Sequence, residues 1–433
     1  MINKLRYFTF LLLVFSCISQ LGKHFWPQFA YISGIRIDYL APTVYLSDLL
    51  IGCLLLLSLP YFFRPTLTKG KSLAFLLPKL FFISLGFLSI LISPEPLAAL
   101  YGLLKVLEYT FLGWFIIRFF SVTWIKGFMF TLLCGVGVES LLVMIQMFNQ
   151  ESVGGLWYFL GERTFSAHTI GISTIYVRGQ EILRAYGSFP HPNVLAFYLF
   201  FSLVYIFTLR KMVKSKWIFL GIFGVGIIGV TSLFLTFSRS IIILSVVLVG
   251  LGLLRLHARE KIIGLGLLIG VVSVILKVFS ERFAYGGVFS EDISYRIEML
   301  QMGGKIIKQH PIFGVGIQNY LYVQFPFYDR LSPIFLQPIH SIYMLVGMQV
   351  GIVGIIGVSL FVFLTGRSYH MLQQSATSQY IYNFILASRI LSLSVLIVGL
   401  FDHYFLTLQQ GQIVTTLLIS FGWLPWKDPR DLV

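Results

Sequence analysis

The chain has 433 residues, 57% of them hydrophobic and only 11% charged, where soluble domains carry roughly 25% charged residues. That excludes a water-soluble globular body, and the abundance of Phe, Leu, Ile and Val excludes disorder. A net charge of +15 would suggest nucleic acid in a soluble protein, so its location along the chain has to be read first.

Apolar runs near 20 residues long, without period-2 alternation, read as membrane helices rather than barrel strands. The expected fold class is therefore all-α, a polytopic membrane protein of about twelve spans. In chain order they fall at 7–22, 43–63, 74–93, 97–117, 125–147, 192–209, 217–236, 239–256, 261–279, 340–364, 385–405 and 410–424. The first run follows Lys4 and Arg6 as a signal peptide would, but no A-x-A-like site follows it, so an uncleaved span is expected. Only Phe237 and Ser238 separate the seventh and eighth. Cys17, Cys53 and Cys134 lie in apolar runs with no CxxC pair and read as small core residues. No internal repeat divides the chain, so 1–433 is expected to form a single membrane domain.

The connections alternate in charge. One set holds Lys4, Arg6, Arg64, Lys69, Lys71, Lys79, Arg118, Lys126, the Arg210–Lys216 cluster, Arg255, Arg259, Lys261, Arg367, Lys427 and Arg430. Against them stand only Glu260, Asp428 and Asp431, while the opposite set is balanced. This is the positive-inside pattern with both termini cytoplasmic. Topology thus accounts for the basic excess, and no nucleic-acid partner is needed. Two long connections, at about 148–191 and 280–339, fall on the external side. Long loops with aromatic residues and mixed charge are usually functional, so the chemistry is expected outside.

Several polar residues sit there at the membrane edge, where charge is costly and usually has a purpose. Arg184-Ala-Tyr-Gly-Ser-Phe-Pro-His191-Pro-Asn193 leads into the sixth span, and Thr236-Phe-Ser238-Arg239-Ser240 joins the seventh to the eighth. Arg296 precedes a polar stretch ending in His310-Pro-Ile-Phe-Gly314-Val-Gly316-Ile-Gln-Asn319, and Pro338-Ile-His340-Ser341-Ile-Tyr343 opens the tenth span. Asn193, Ser238 and His340 fall at helix starts facing the external side, where free N–H groups and the helix dipole attract anions. Converging there, Arg184, Arg239 and Arg296 would add bidentate phosphate contacts. The same dipole disfavours an imidazolium, which suits His340 as a general base.

Each feature also has a plainer reading: a snorkelling arginine, a capping histidine, a Gly-Val-Gly turn in place of a phosphate cradle. Lys105 and Glu108, three apart, read as an intrahelical ion pair. Asp48 and Glu139 are either proton-relay residues or satisfied core polars. Asp402-His403 is placed either to support the site or to cap a helix. No HExxH, GxSxG or P-loop occurs, which removes the usual handles for zinc proteases, serine hydrolases and P-loop NTPases.

The four segments, R-A-Y-G-S-F-P-H-P-N, T-F-S-R-S, R-I-E-M-L with H-P-I-F-G-V-G-I-Q-N-Y, and H-S-I-Y-M-L-V-G-M-Q-V-G-I-V-G, occur in this order. Together they resemble the O-antigen ligase and O-antigen polymerase superfamily of bacterial membrane glycosyltransferases. The resemblance covers roughly residues 180–360. It implies a GT-C-like helical bundle in the cytoplasmic membrane, active at its external face. Such enzymes pass a glycan from an undecaprenyl-diphosphate carrier to an acceptor hydroxyl, with no metal, cofactor or nucleotide sugar. The acceptor is a lipid A–core sugar, another carrier-linked repeat, or a protein.

By the same resemblance His340 matches the general base, and Arg239 and Arg296 match arginines on the donor diphosphate. Arg184 is a further basic position of the substrate region. His191 and Asn193 match the opening of a span, chiefly a structural part. Gly316 and Asn319 are carried as candidate substrate contacts. A secondary transporter or flippase of lipid-linked glycans is the rival reading, suited by twelve spans and by Asp48, Lys105, Glu108 and Glu139 within them. Its site would lie near the bilayer midplane on matching halves, a pattern absent from this sequence.

Overall fold

The structure is a computed structural model. It describes the chain apart from residues 62–68, 178, 210–214, 328–335, 426–433 and most of 255–286. Helices dominate: α1 Ile2–Phe15, α2 Leu46–Ser58, α3 Lys69–Ile92, α4 Pro96–Phe119, α5 Ile125–Asn149, α6 Leu156–Phe159, α7 Pro192–Leu209 and α8 Lys216–Leu235. The second half adds α9 Arg239–Leu253, α10 Gly287–Gln309, α11 Tyr320–Gln324, α12 Ile342–Gln374, α13 Gln379–Val398, α14 Tyr404–Thr407 and α15 Gln409–Phe421. The described strands form three antiparallel pairs: β1 Gly22–His24 with β4 Thr43–Tyr45, β2 Tyr31–Ile32 with β3 Ile35–Arg36, and β5 Thr174–Val177 with β6 Gln180–Leu183.

Among the described residues, five helices are long and apolar enough to cross a membrane: Pro96–Phe119, Val122–Asn149, Lys216–Leu235, Ile342–Gln374 and Gln379–Val398. Shorter apolar helices occupy Leu46–Tyr61, Leu80–Ile92, Pro192–Thr208 and Arg239–Leu253. The chain is thus a multi-pass, helical membrane protein, and the ninth expected span, 261–279, lies largely outside the described residues. Helix ends differ from the apolar runs. The run at 7–22 becomes a helix over Ile2–Phe15, the run at 385–405 a helix over Gln379–Val398, and the tenth expected span becomes α12, which starts two residues after His340.

The chain divides into two compact units. The first comprises Met1–Cys17, Leu21–Thr131 and Arg296–Val433. Here α4 is central, packed on α2, α3 and α15, while α12 lies on α3 and α13. Lipid tails are as apolar as the side chains, so close packing has to hold such helices together. Phe120, Phe128, Phe384 and Phe421 supply it, with Phe120–Phe421 and Phe384–Phe421 ring centroids 5.0 Å apart. Such pairs are each worth about 1 kcal/mol beyond their buried area.

Arg6, expected as an inner-loop charge, is instead buried. Its Nε and Nη2 donate to the Leu57 carbonyl at 3.2 and 2.7 Å, and its guanidinium lies 4.4 Å from the Tyr61 ring and 4.3 Å from the Phe119 ring. It satisfies an orphan carbonyl in the last turn of α2.

Three intramembrane charges of this unit, Asp48, Lys105 and Glu108, are bonded together. Lys105 Nζ lies 2.9 Å from Glu108 Oε2, the expected pair, and 3.0 Å from Asp48 Oδ2. Gln409 Nε2 donates to Ser47 Oγ (3.0 Å) and to Asp48 Oδ1, and its Oε1 accepts from Tyr109 at 2.6 Å. Asp48 also accepts the Tyr45 N–H at 2.9 Å, closing a capping box at the start of α2.

The second unit, Ile18–Gln20 and Leu132–Tyr295, packs α7 on α8 and α9. Gly229 of α8 has no side chain because a Cβ there would meet Val136 Cγ1 at 2.6 Å. Glu139 accepts Ser188 Oγ–H (2.6 Å) and Ser188 N–H (3.0 Å). Gln146 donates to Glu162 at 2.7 Å and exchanges two bonds with Gly187, both 2.9 Å. These buried groups pin the 150–191 connection to α5, with Glu162 capping Val153 and Gly154 N–H at 2.8 and 2.7 Å. Of the two readings for Glu139, the bonds match a satisfied core polar.

Candidate active site

His340 is set by the meeting of three elements in the first unit. Ile342 N–H, an orphan donor of α12's first turn, donates to the Gly399 carbonyl, an orphan acceptor just past α13, at 2.8 Å. One residue on, the Tyr343 hydroxyl donates to the Leu396 carbonyl at 2.7 Å. Gly399 is required to be small, since a Cβ there would approach Ile342 Cγ1 to 2.7 Å. From the other side α10 presents a buried stripe, Met299, Met302 and Ile306, at helical spacing. Gly303 on it lets the helix close on Ile339, where a Cβ would stand 2.7 Å from Ile339 Cδ1 and 2.9 Å from Met344 Cε.

That frame brings four of the flagged residues together: Arg296, His340, Asp402 and His403. Arg296 lies within α10, not ahead of it, and its Nη1 donates to the Phe401 carbonyl at 3.2 Å. The next residues are Asp402 and His403, both buried. The His340 and His403 rings meet edge to face at 86°, centroids 5.1 Å apart. Tyr39, from the connection between α1 and α2, meets the His403 ring at 5.7 Å and 77°. His403 N–H donates to Asp402 Oδ1 at 2.9 Å, and its Nδ1 lies 2.6 Å from Thr407 Oγ1.

His403 lies between α13 and α15, outside the helices long enough to span. Burial drives its pKa down to about 3. Asp402 opposes that shift, while the His340 and Arg296 charges add to it. The imidazole is therefore uncharged at neutral pH.

The Gly-Val-Gly segment has its amides engaged elsewhere. α12 is broken at Gly351, φ +60° and ψ −161°. Into that break the 311–316 segment feeds hydrogen bonds: Val315 N–H to Met348 O (2.8 Å), Gly316 N–H to Gln349 O (3.0 Å) and Ile352 N–H to Pro311 O (2.9 Å). Gly314 (φ +69°) and Gly316 (φ +95°) take left-handed conformations that favour glycine. Asn319 is fully buried, accepting Glu95 N–H at 2.8 Å and donating to Glu95 O (3.2 Å) and Ile317 O (3.0 Å). In this arrangement Gly316 braces the helix break, Asn319 ties the segment to the start of α4, and the turn reading of the glycines fits it.

The remaining flagged residues belong to the second unit. Arg184 Nε donates to Thr236 O (2.8 Å) and its Nη2 to Asn193 Oδ1 (2.9 Å), tying the end of β6 to the C-cap of α8 and the start of α7. His191 Nδ1 accepts the Asn193 N–H at 3.1 Å, so its proton sits on Nε2, directed at Ser173 Oγ 3.2 Å away. It thereby acts as the cap of α7. Ser238 is the N-cap of α9, as expected, and Arg239 is the first helical residue, half-buried.

Residues 224–359, from α8 to α12, match the family described as O-antigen ligase. Over that stretch, 136 of the 433 residues, the chain is similar to the O-antigen ligase family. The O-antigen ligase segment holds Arg239, Arg296, Gly316, Asn319 and His340, and it leaves Arg184, His191, Asn193, Asp402 and His403 outside. Nothing among curated proteins matches the chain. The match supports a membrane glycosyltransferase of the O-antigen ligase or polymerase type.

Sequence reasoning missed Tyr39, Thr407 and the glycines at 303 and 399. The four-residue spacing of His403 and Thr407, one helical turn, was the available signal for Thr407. Tyr39 carries none, since its contact spans 364 positions of chain.

Proposed function

We propose that this protein transfers or polymerises a glycan from an undecaprenyl-diphosphate carrier onto an acceptor hydroxyl at the external face of the cytoplasmic membrane, independently of metal. His340 takes the acceptor hydroxyl proton as its oxygen attacks the anomeric carbon. The bond from that carbon to the diphosphate oxygen breaks, and the electron pair leaves with the diphosphate. Arg296 meets the developing charge, since guanidinium matches phosphate geometry. Arg239 keeps the expectation of a phosphate ligand, on the strength of its sequence pattern and its place at a helix start. A lipid-borne donor accounts for a site at the membrane edge.

The observation that supports this reading most is the placement of His340 in the frame that also anchors Arg296 to Phe401, within the O-antigen ligase segment. Purified protein in vesicles, given carrier-linked glycan and acceptor in the presence of chelator, is expected to form the transferred product. Movement of the carrier glycan across the vesicle with no product would favour a flippase. The rival transporter draws on Asp48, Lys105 and Glu108, but these are bonded to each other and to Gln409.

A further inference from the structure

We infer that His403 is a positioning residue for His340. Resting on the transferase reading, the assignment concerns the ring wall beside the base. A side chain that aims a base has itself to be held in place, and His403 is. Its main-chain N–H is bonded to Asp402 Oδ1 at 2.9 Å. Thr407 gives its hydroxyl proton to the His403 carbonyl at 3.2 Å, so across the 2.6 Å contact His403 Nδ1 is the donor. One ring nitrogen therefore carries the proton and is fixed, and the plane of the ring is fixed with it. Tyr39 packs on the same ring at 5.7 Å.

Against this wall stands His340, perpendicular at 86° with centroids 5.1 Å apart. Edge-to-face packing of that kind sets the plane of the second ring and the direction of its nitrogens. A base misdirected by about 1 Å loses on the order of 100-fold in rate. His403 itself touches no reacting atom in this scheme. Thr407 belongs to the same chain of contacts, acting on His340 only through His403.

The test compares His403→Ala, His403→Phe, Thr407→Val and the double variant His403→Ala/Thr407→Val, each checked for folding by thermal unfolding in detergent. His403→Ala is expected to lower kcat about tenfold or more with donor KM nearly unchanged. His403→Phe, keeping a ring against His340, should recover most of that loss. Thr407→Val should show a smaller drop, and the double variant no more than His403→Ala alone.

Carbethoxylation of the His340 peptide by diethyl pyrocarbonate, read by mass spectrometry, needs no substrate. It should quicken several-fold in His403→Ala and stay at the wild-type rate in His403→Phe. Wild-type protein without transfer activity would defeat the transferase reading, while the labelling rates still decide the positioning role. Equal labelling in wild type and His403→Ala, additive kcat losses, or losses that merely track unfolding would overturn it.

Discussion

Gly351 and Ile312 meet backbone to backbone inside the break of α12, where any side chain at Gly351 would collide with the Ile312 carbonyl. The residue sits at φ +60°, ψ −161°, a region open essentially to glycine alone. Gly351→Ala is therefore expected to cost about 2–4 kcal/mol, from strain and overpacking together. Thermal unfolding in detergent would show it. The control is Gly366→Ala, in the same helix but with open space where its Cβ would stand, which should leave the unfolding temperature nearly unchanged.

The helices of the core were legible because their apolar runs are long. Those at α4 and α5 fall close to the ends of the helices themselves. Ends were less legible, since tertiary bonds set them. Asn3, Lys4 and Arg6 lie inside α1, where Arg6 bonds both Asn3 and the Leu57 carbonyl of α2. Ser341 stays extended, φ −159° and ψ 122°, ahead of an α12 start bonded to Gly399. At the site, His340 and Arg296 stood out as charge or imidazole at the membrane edge. The part of Gly316 was hidden because it depends on a helix break some thirty residues downstream, and that of Asn319 because its partner, Glu95, lies 224 positions upstream. Arg184 likewise looked free to bind phosphate until its partners at Thr236 and Asn193 were seen.

Arg184 gives a prediction of its own. Its Nε and Nη2 are committed to Thr236 and Asn193, so Arg184→Ala should lower stability by about 2–4 kcal/mol. Donor KM of the folded fraction should barely move. A large KM rise without destabilisation would return Arg184 to the substrate.

The pH dependence of stability follows from His403. Its folded pKa, about 3, lies below the ordinary value of 6.5, so below pH 6.5 the unfolded chain binds a proton that the folded chain refuses. Stability from this group is full above pH 6.5 and falls as pH drops towards 3. Asp402, His340, Arg296 and Tyr39 are the groups that face it. Unfolding temperatures between pH 7.5 and 4.5 should decline, and the decline should be shallower in His403→Phe, which has nothing to protonate.

Arg296 is expected to act on the leaving diphosphate. Arg296→Ala should reduce kcat/KM for the donor on the order of 100-fold. Arg296→Lys should recover little, because an ammonium cannot make the forked contact. Steady-state rates with varied carrier-linked donor separate these outcomes.

The most direct measurement is glycan transfer by purified, reconstituted His340→Ala beside wild type, with a labelled carrier-linked donor and the folded fraction matched. Loss of a general base predicts a fall of about 100- to 10,000-fold in transfer with the protein still inserted and folded. Transfer at the wild-type rate would contradict the account.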